Sequence, residues 1–465
     1  MTTYYVGPGG NDGNSGLTWA LRKLTLNGAE DVPVVAGDTV YVGPGVYREM
    51  LTVDVSGGAG TEITYIGDVT GVNTDDVGGI VRITGSDNDQ TAVRNYCITA
   101  DAKDYRIFRG FFMDTTSLAV IYSSGGSDDW TIEDCIIYRE DAQQGIYVFG
   151  TSADWIIRRC IVTAGPYAGG IQFREDAGIA NAGHLVENCI VNVQHGYCII
   201  SYEVGGIDIR NCWLRGYRGV SVAVALPGGY TAIDVNNSIL DRCTTGVYAQ
   251  VLGEIVENYN TFWGNQTNRT NVNVGGNSVT YPPLFVPPIL FSGASQVGGF
   301  EFPWWYGELS EWSQIRAITG TNEPTEDLRG FTRPTTASKC SWGPLQFADM
   351  ERETGTTRGA STASLCLHDA GRHQIWVPME NSSTTVSIYV YREANYAGVL
   401  PQMVLRQPGQ ADRTTTDVGA AGGWNQLTDT WTPAVTPPYV IVELVSNNTA
   451  GAGNYATFFD DLTIS

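Results

Sequence analysis

The stretch Ile132-Glu-Asp-Cys135-Ile-Ile137 decides the fold, because close variants of it recur along the chain. A β-branched residue, two polar residues, a small residue and two apolar residues follow one another in every copy. The copies begin at Ile132, Ile157, Val186, Ile209 and Val235, and their small residues are Cys135, Cys160, Cys189, Cys212 and Ser238. These small residues are 25, 29, 23 and 26 residues apart, too close for a strand-helix-strand unit. We therefore expect each step to be one coil of a solenoid.

A second strand recurs within each coil, and a glycine opens it at a bend. Its copies are Gly145-Ile-Tyr-Val148, Gly170-Ile-Gln-Phe173, Gly196-Tyr-Cys-Ile199, Gly219-Val-Ser-Val222 and Gly246-Val-Tyr-Ala249. Two phased series of strands predict stacked parallel sheets, in which each coil lies about 4.8 Å above the last. Equivalent side chains should then form ladders along the interior.

The cysteines fit such an interior ladder better than a metal site. There are nine of them, with no CxxC pair and no clustered histidines, which argues against structural zinc. A thiol is a small, soft hydrophobic group that stacks well in a narrow core. A ladder of reduced thiols favours assembly in a reducing cytoplasm. The polar residues just before the small ones predict a turn, and they are Asp134, Asn188, Asn211 and Asn237.

The composition limits the partners of the chain. Its 465 residues include 49 acidic and 27 basic ones, for a net charge of −22, so we expect no nucleic acid and no anionic membrane surface as a partner. No apolar run approaches the roughly 20 residues of a membrane span, and strand-like residues follow Met1 directly. Three origins stay open: a cytoplasmic protein, a mature secreted protein, or a virion component assembled in a host cytoplasm.

Segments at the two ends of the repeat carry a resemblance. Residues 4–16, 36–49 and 60–67 resemble the opening of the pectate-lyase-like right-handed parallel β-helix superfamily, and residues 283–286 and 326–334 resemble its closing cap. The resemblance implies an all-β, right-handed parallel β-helix with caps over residues 1–334. Phe302-Pro-Trp-Trp-Tyr306 is expected to cover the open end of the solenoid rather than to bind sugar.

Residues 335–465 have a different pattern. Alternating strands such as Thr385-Val-Ser-Ile-Tyr-Val-Tyr391 predict a β-sandwich, and their order resembles jelly-roll carbohydrate-binding modules. Alternation places Tyr389 and Tyr391 on one face, which is either a sugar-stacking platform or else a second buried face or a subunit contact. The resemblance implies a structural calcium ion as the one metal to expect, with Asp460 and Asp461 as ligands. No other cofactor is expected.

The outward positions of the second strand series lack the stacked carboxylates that a calcium-dependent lyase of this superfamily needs. They include Tyr147, Gln172, Cys198, Ser221 and Tyr248. An apolar outward stripe favours a subunit contact, and the analogy with phage tail spikes predicts a homotrimer.

Carboxylates gather just beyond these strands. For a hydrolase we expect Asp176 and Glu203 as acid and base, with Arg174 and Tyr202 binding the glycan. A solvated turn with surface ion pairs is the alternative. His184 and His195 are expected to be turn residues.

Two functions remain open, and the sequence does not decide whether the chain is an enzyme. The first is a phage-type virion protein, tail-spike-like or fibre-like, that binds surface glycans beside other virion proteins. The second is a polysaccharide lyase or glycoside hydrolase with an appended binding module, on a virion or secreted. Polysaccharide is the expected partner in both.

Overall fold

The computed structural model describes residues 1–31, 34–74, 78–139, 144–165, 169–179, 182–224, 226, 230–280, 296–297, 300–301, 350–353, 364–368, 372–378, 384–392, 398–406, 411–432, 439–448 and 456–464. For some of these, including residues 176–179 and 460–464, the backbone alone is described. The chain divides into two compact units, one containing the solenoid and the other the strands from residue 350 onward. The predicted boundary between residues 334 and 335 lies outside the described residues and stays a prediction.

Three parallel sheets, named A, B and C here, form the solenoid, and consecutive strands of the chain visit them in turn. Sheet A has eleven described strands. They are β1 (Thr3–Val6), β2 (Thr39–Val42), β5 (Ile63–Gly67), β8 (Arg106–Arg109), β11 (Trp130–Glu133), β14 (Ile156–Arg158), β17 (His184–Glu187), β20 (Ile207–Arg210), β23 (Ile233–Asn236), β26 (Ile255–Asn258) and β29 (Asn273–Val274).

Sheets B and C have nine described strands each. Those of sheet B are β3 (Gly45–Tyr47), β6 (Val81–Thr84), β9 (Phe112–Asp114), β12 (Ile136–Tyr138), β15 (Ile161–Ala164), β18 (Ile190–Val193), β21 (Trp213–Arg215), β24 (Ile239–Asp241) and β27 (Thr261–Trp263). Those of sheet C are β4 (Leu51–Val53), β7 (Ile98–Asp101), β10 (Ala119–Ser124), β13 (Gln144–Phe149), β16 (Gly169–Ile179), β19 (Tyr197–Val204), β22 (Arg218–Val224), β25 (Thr245–Tyr248) and β28 (Thr267–Thr270). A 3₁₀ turn at Trp19–Leu21 and a helix α1 (Leu26–Asp31) precede the second coil.

The bend from sheet A to sheet B is the turn that the repeated polar residues predict. In each of six coils one residue there has left-handed backbone angles, with φ between 52° and 55°. Asparagine and aspartate tolerate this conformation better than other residues with a side chain, because their short polar groups bond locally. The six residues are Asp134, Arg159, Asn188, Asn211, Asn237 and Tyr259.

The interior consists of stacked ladders. Ile132 pairs with Ile157 and Ile157 with Val186, and all three are fully buried. Burying such a side chain stabilises the fold by about 1.5–3 kcal/mol. The cysteines form the expected ladder: the seven in the described solenoid are free thiols and buried. Each ladder thiol lies near a carbonyl of the preceding coil, as Cys189 Sγ does at 3.5 Å from the Ile157 oxygen.

Aromatic side chains continue this stacking inside sheet A. The ring centroids of Trp130 and Trp155 are 4.9 Å apart and nearly parallel. Their indole N–H groups donate to the carbonyl oxygens of Lys103 and Ser127 at 2.6 and 2.7 Å. His184, expected in a turn, instead lies buried at the start of β17, where its ring stacks on Phe173 at 4.4 Å. The turn prediction for His184 is therefore wrong, since an inward position buries the ring.

The outer face of sheet A carries charges that alternate from coil to coil. Along one row the register brings together Arg109, Glu133, Arg158, Glu187 and Arg210. Glu133 is fully buried beneath its basic neighbours and accepts hydrogen bonds from Arg109 Nε at 2.5 Å and Arg158 Nε at 2.6 Å. A slip by one coil would place like charges side by side, so the row favours one register.

The second unit is an antiparallel sandwich. One sheet has the order β32 (Met350–Glu353), β33 (Ser364–His368), β40 (Ala456–Ile464), β35 (Thr384–Arg392), β38 (Trp424–Trp431). The other has the order β34 (Arg372–Pro378), β39 (Tyr439–Asn448), β36 (Gly398–Arg406), β37 (Arg413–Thr416). Two short strands, β30 (Gln296–Val297) and β31 (Phe300–Glu301), pair with each other.

The predicted fold class, a parallel β-helix followed by a β-sandwich, is confirmed. Within the residues described, no helix has the length and apolar character of a membrane span. Residues 302–306, expected to cap the solenoid, lie outside the described part.

Candidate functional site

An open groove of about 880 Å³ runs along the solenoid where sheet B turns into sheet C. It extends over six consecutive coils, from Tyr138 in the first to Gln266 in the last. At about 4.8 Å per coil, five steps give the groove a length of about 24 Å along the solenoid axis.

One wall of the groove is an outward row of sheet B. Tyr138 pairs with Thr163 and Thr163 with Asn192, and Asn192 pairs with Arg215. Each is preceded by a buried aliphatic residue, such as Ile137 before Tyr138. Because neighbouring residues of a strand face opposite ways, the buried ladder forces this row outward. The wall thus offers one polar group per coil.

The bends between sheets B and C form the floor and the opposite wall. Gly216 is required there, since a Cβ atom would lie 2.8 Å from the Gly196 oxygen and 3.0 Å from Cys198 Sγ. The tight backbone leaves the next side chain, Tyr217, 39% exposed beside the groove. His195 lies in the turn of the preceding coil with φ at 58°, as expected for a turn residue.

Two arginines give this groove positive charge. Arg215 makes no ion pair with any described residue, and the Arg242 guanidinium, 62% exposed, makes a long contact with Asp241 at 3.7 Å. Arg139 is buried and donates to Thr116 Oγ1 at 2.5 Å. Several arginines elsewhere in the solenoid form closer pairs, such as Arg210 with Glu187 at 2.9 Å and Arg269 with Glu257 at 2.7 Å.

Asp241 is the carboxylate nearest to these cations. It is only 3% exposed, and burial raises its pKa while Arg242 and Arg215 pull the pKa back down. Its Oδ1 atom has no hydrogen-bond partner, although Arg242 Nε is 3.7 Å away. Asp241 therefore contributes a local counter-charge that orients Arg242 without neutralising the groove.

Chemically, the groove combines three kinds of group. Its guanidinium groups can bind carboxylate or sulfate oxygens. Its hydroxyl and amide groups can bind sugar hydroxyls. His195 and Tyr217 carry groups that accept or donate protons.

The residues predicted from sequence lie elsewhere, within strands β16 and β19 of sheet C. Arg174 and Tyr202 pair across adjacent coils, with the guanidinium carbon 5.7 Å from the ring centroid. Glu203 follows Tyr202 at a register shift and has φ at 59°. The side chain of Asp176 lies outside the described part, so its pairing with Glu203 as acid and base remains a prediction.

One expectation about this region is corrected. Cys198 was expected to face outward, yet it is fully buried because it packs into the space over Gly216. Tyr147 and Gln172 do occupy the outward row, which carries no carboxylate among the residues described.

The outer face of this part of sheet C is aromatic. The ring centroids of Tyr96 and Tyr122 lie 4.7 Å apart, and those of Tyr122 and Tyr147 lie 5.4 Å apart. Further along, the Arg218 guanidinium lies 3.5 Å from the centroid of Tyr248. These rings are largely engaged with each other.

The sandwich places Tyr389 and Tyr391 together on its outer face, half-buried, while Val386, Ile388 and Val390 face inward. Trp424 is half-buried, and its ring centroid lies 5.6 Å from that of Tyr391. The three aromatic side chains share one surface because Tyr391 is opposite Trp424 in the register. The side chains of Asp460 and Asp461 lie outside the described part, and the calcium site remains a prediction.

Several solved structures are similar to this chain. The solenoid shares the parallel β-helix fold of pectate lyase Pel9A. The match has 14% sequence identity and a TM-score of 0.51, and it covers 74% of this chain and 96% of that one. A rhamnogalacturonan lyase matches at 17% identity over 60% of this chain and 86% of its own, with a TM-score of 0.41.

A carbohydrate-binding module, TmCBM61, solved with β-1,4-galactotriose, matches at 13% identity over 23% of this chain and 74% of its own, with a TM-score of 0.19. No family model matches the sequence, and no curated protein matches it. The similarity to Pel9A therefore establishes the architecture, and the function has to be argued from the groove itself.

The groove was missed from sequence, although a signal for it exists. Its wall residues stand three positions after the small ladder residues, as Tyr138 follows Cys135 and Arg215 follows Cys212. The outward residues of sheet B share no residue type from coil to coil, whereas the strands of sheet C are marked by a recurring glycine.

Proposed function

We propose that this protein binds a polysaccharide lengthwise in the groove between sheets B and C, and that the polysaccharide carries acidic sugars. The observation that carries the proposal is a groove that spans six coils and holds Arg215, which makes no ion pair with any described residue, and Arg242, which is 62% exposed and lies 3.7 Å from Asp241. The fold relative, a pectate lyase, is itself named for a polysaccharide.

The shape supports an extended ligand. Consecutive coils present Tyr138, Thr163, Asn192 and Arg215 at a constant spacing of about 4.8 Å, which suits a repeating polymer better than a compact molecule. Hydroxyl, amide and guanidinium groups in such a row can bond to hydroxyls on successive sugars.

The charge supports an acidic ligand. A chain with a net charge of −22 repels polyanions at long range, so any anion it binds needs a local site of opposite sign. Arg215 and Arg242 provide that site, since guanidinium groups bind carboxylates through paired hydrogen bonds. An uncharged glycan would leave Arg215 without a counter-ion.

The aromatic surface of the sandwich is a second contact for the same class of ligand. Tyr389, Tyr391 and Trp424 offer adjacent half-exposed rings, which suit stacking on sugar faces. Two modules on one chain raise the overall affinity for a long polymer, because the second contact becomes intramolecular.

The test is affinity electrophoresis in gels that contain acidic polysaccharides or their carboxyl-reduced forms. We expect retardation by the acidic polymer, weaker retardation at high salt and loss of most of it in the double variant Arg215→Ala, Arg242→Ala. Arg94→Ala is the matched control, because Arg94 is paired with Asp87 away from the groove. Equal retardation by acidic and reduced polymers would contradict the acidic ligand.

Cleavage of the bound polymer is a second candidate function, favoured by His195 and Tyr217 in the groove beside the arginines. An arginine bound to a uronate carboxylate makes the proton at C5 more acidic, and a neutral base takes that proton. The electron pair forms a C4–C5 double bond, the C4–O bond breaks, and the departing oxygen takes up a proton. Absorbance of the unsaturated product, lost in His195→Gln or Tyr217→Phe, tests this reaction.

A hydrolase that uses Asp176 and Glu203, with Arg174 and Tyr202 binding the glycan, is a separate proposal. New reducing ends without unsaturated product, abolished by Asp176→Asn and Glu203→Gln, would support it.

The placement on a virion, as a homotrimer beside other virion proteins, is likewise a proposal. Its support is the aromatic outer face of sheet C around Tyr122 and Tyr147, which a neighbouring copy would cover. Sedimentation equilibrium measures the stoichiometry directly, and a monomer would contradict the trimer.

A further inference from the structure

The outward row of sheet B continues past the four residues that form the groove wall. In the next coil Arg215 is followed by Asp241, and Asp241 pairs with Trp263 in the last strand of the sheet. Trp263 is 40% exposed. The tryptophan therefore stands in line with the groove wall, one coil past the last of its arginines.

Trp263 differs from the tryptophans inside the solenoid. Trp130 and Trp155 are fully buried, stack on each other and donate their indole N–H groups to backbone carbonyls. Trp263 faces outward and leaves much of its ring in water, which costs free energy that burial would recover. Packing of the core does not account for an exposed ring in this position.

Arg242 lies beside the backbone of Trp263. Its backbone N–H donates to the Trp263 oxygen at 2.8 Å, and Asp241 lies 3.7 Å from its Nε atom. The stem of Arg242 passes over Gly264, where a Cβ would approach its Cγ to 3.3 Å and φ is +65°. Glycine thus provides both the turn and the space for the arginine at this end of the groove.

We propose that Trp263 and Arg242 form a terminal sugar subsite of the groove. The ring of Trp263 stacks on the apolar face of a pyranose, while Arg242 bonds to a hydroxyl or acidic substituent of the same sugar. This inference rests on the proposed function, because the subsite binds the terminal sugar of the polysaccharide that the groove is proposed to hold.

The subsite takes a single pyranose at the end of a chain that already fills the groove. Oligosaccharides too short to reach the last coil gain nothing from it, whereas longer ones do. The expected signature is a dependence of affinity on chain length. Deleting an aromatic contact should cost about a 3- to 10-fold loss of affinity, and only for chains that reach the subsite.

The experiment measures the affinity of the full-length protein for a graded series of acidic oligosaccharides. For wild type we expect affinity to rise with length and then to level off. Trp263→Ala should remove the last increment and leave shorter oligosaccharides unaffected, and Trp263→Phe should restore most of it. Val256→Ala, on the outer face of sheet A, is the matched control.

Three results would overturn the inference. A loss that is the same at every length would assign Trp263 a structural role. If Trp263→Ala leaves the dependence of affinity on oligosaccharide length unchanged while Arg215→Ala still weakens binding, the subsite is contradicted and the proposed function stands. A wild-type protein that binds no length of oligosaccharide would contradict the proposed function and the subsite together.

Discussion

Replacing Glu133 by glutamine should weaken the solenoid measurably, because this buried carboxylate joins Arg109 of the coil before it to Arg158 and Arg159 of the coil after it. It accepts hydrogen bonds from Arg109, from Arg158 at 2.6 Å and from Arg159 at 3.0 Å. Glutamine keeps the shape but removes the charge. The arginine side chains lower the pKa of Glu133 against the opposing effect of its burial, so the carboxylate is ionised in the folded protein.

The magnitude follows from these contacts. A hydrogen bond to a charged group contributes about 1.5–3 kcal/mol and a neutral one about 1 kcal/mol, so three weakened bonds could cost several kcal/mol. The side chains of Arg109 and Arg158 are 44% and 35% exposed, so water replaces part of the hydrogen bonding to Glu133 that the substitution removes. We therefore expect Glu133→Gln to destabilise the coils around it by about 2–3 kcal/mol.

The assay is amide hydrogen exchange of the intact protein, read from peptides that cover residues 106–109, 130–133 and 156–158. Local exchange is preferable to a single melting point because long repeat arrays do not always unfold in one step. Asp87→Asn is the control, since Asp87 is 62% exposed and its pair with Arg94 should contribute at most about 1 kcal/mol. If Glu133→Gln and Asp87→Asn raise the exchange rates equally, the conclusion that buried Glu133 stabilises the stacking of neighbouring coils is refuted.

Three further predictions concern the interior and the sandwich. Burial lowers the pKa of His184 from 6.5 to about 3. Between these two pH values only the unfolded chain binds the proton, so the free energy of unfolding decreases as the pH is lowered. The slope should approach about 1.4 kcal/mol per pH unit, and urea titrations of His184→Gln should lack it. Burial raises the pKa of six solenoid thiols, those of Cys97, Cys135, Cys160, Cys189, Cys198 and Cys243, in Cys243 to about 12, so these cysteines should resist iodoacetamide in the native protein; rapid labelling of them before urea is added would show the ladder to be open. The double variant Tyr389→Ala, Tyr391→Ala should reduce retardation in polysaccharide gels without lowering the melting temperature, whereas unchanged retardation would favour the tyrosines as a subunit contact.

The repeat predicts the solenoid because its residues have physical reasons to recur. Inward positions such as Ile132 and Ile157 must be apolar, and the bend before the small residue needs a side chain that tolerates left-handed angles, as Asn188 does. The spacing of about one coil per 25 residues is therefore visible without a structure. Arg159 and Tyr259 adopt the same angles, and no local preference would have indicated them.

The chemistry of the groove could not be predicted in the same way, because it depends on which outward rows face one another. Arg215 stands three positions after Cys212, and Arg139 and Arg242 stand four positions after Cys135 and Ser238. Only the register across the coils shows that these positions line one groove. Outward side chains contact water, so packing does not restrict them to one residue type in every coil. Which of them lie together on the surface is known only when the register of the coils is known. Cys198 is an exception to alternation along a strand. Alternation predicts that its side chain faces outward, but the side chain is buried because Gly216 leaves space for its sulfur atom.

The most direct test of the central claim is a hydrogen-exchange footprint of the full-length protein with and without an acidic polysaccharide. The account predicts slower exchange on binding in the bends at residues 192–195, 215–217 and 242–244, together with the sandwich strands that bear Tyr389 and Trp424. Protection confined to the sandwich, with those three bends unchanged at saturating polysaccharide, would contradict the claim that the groove binds the polymer.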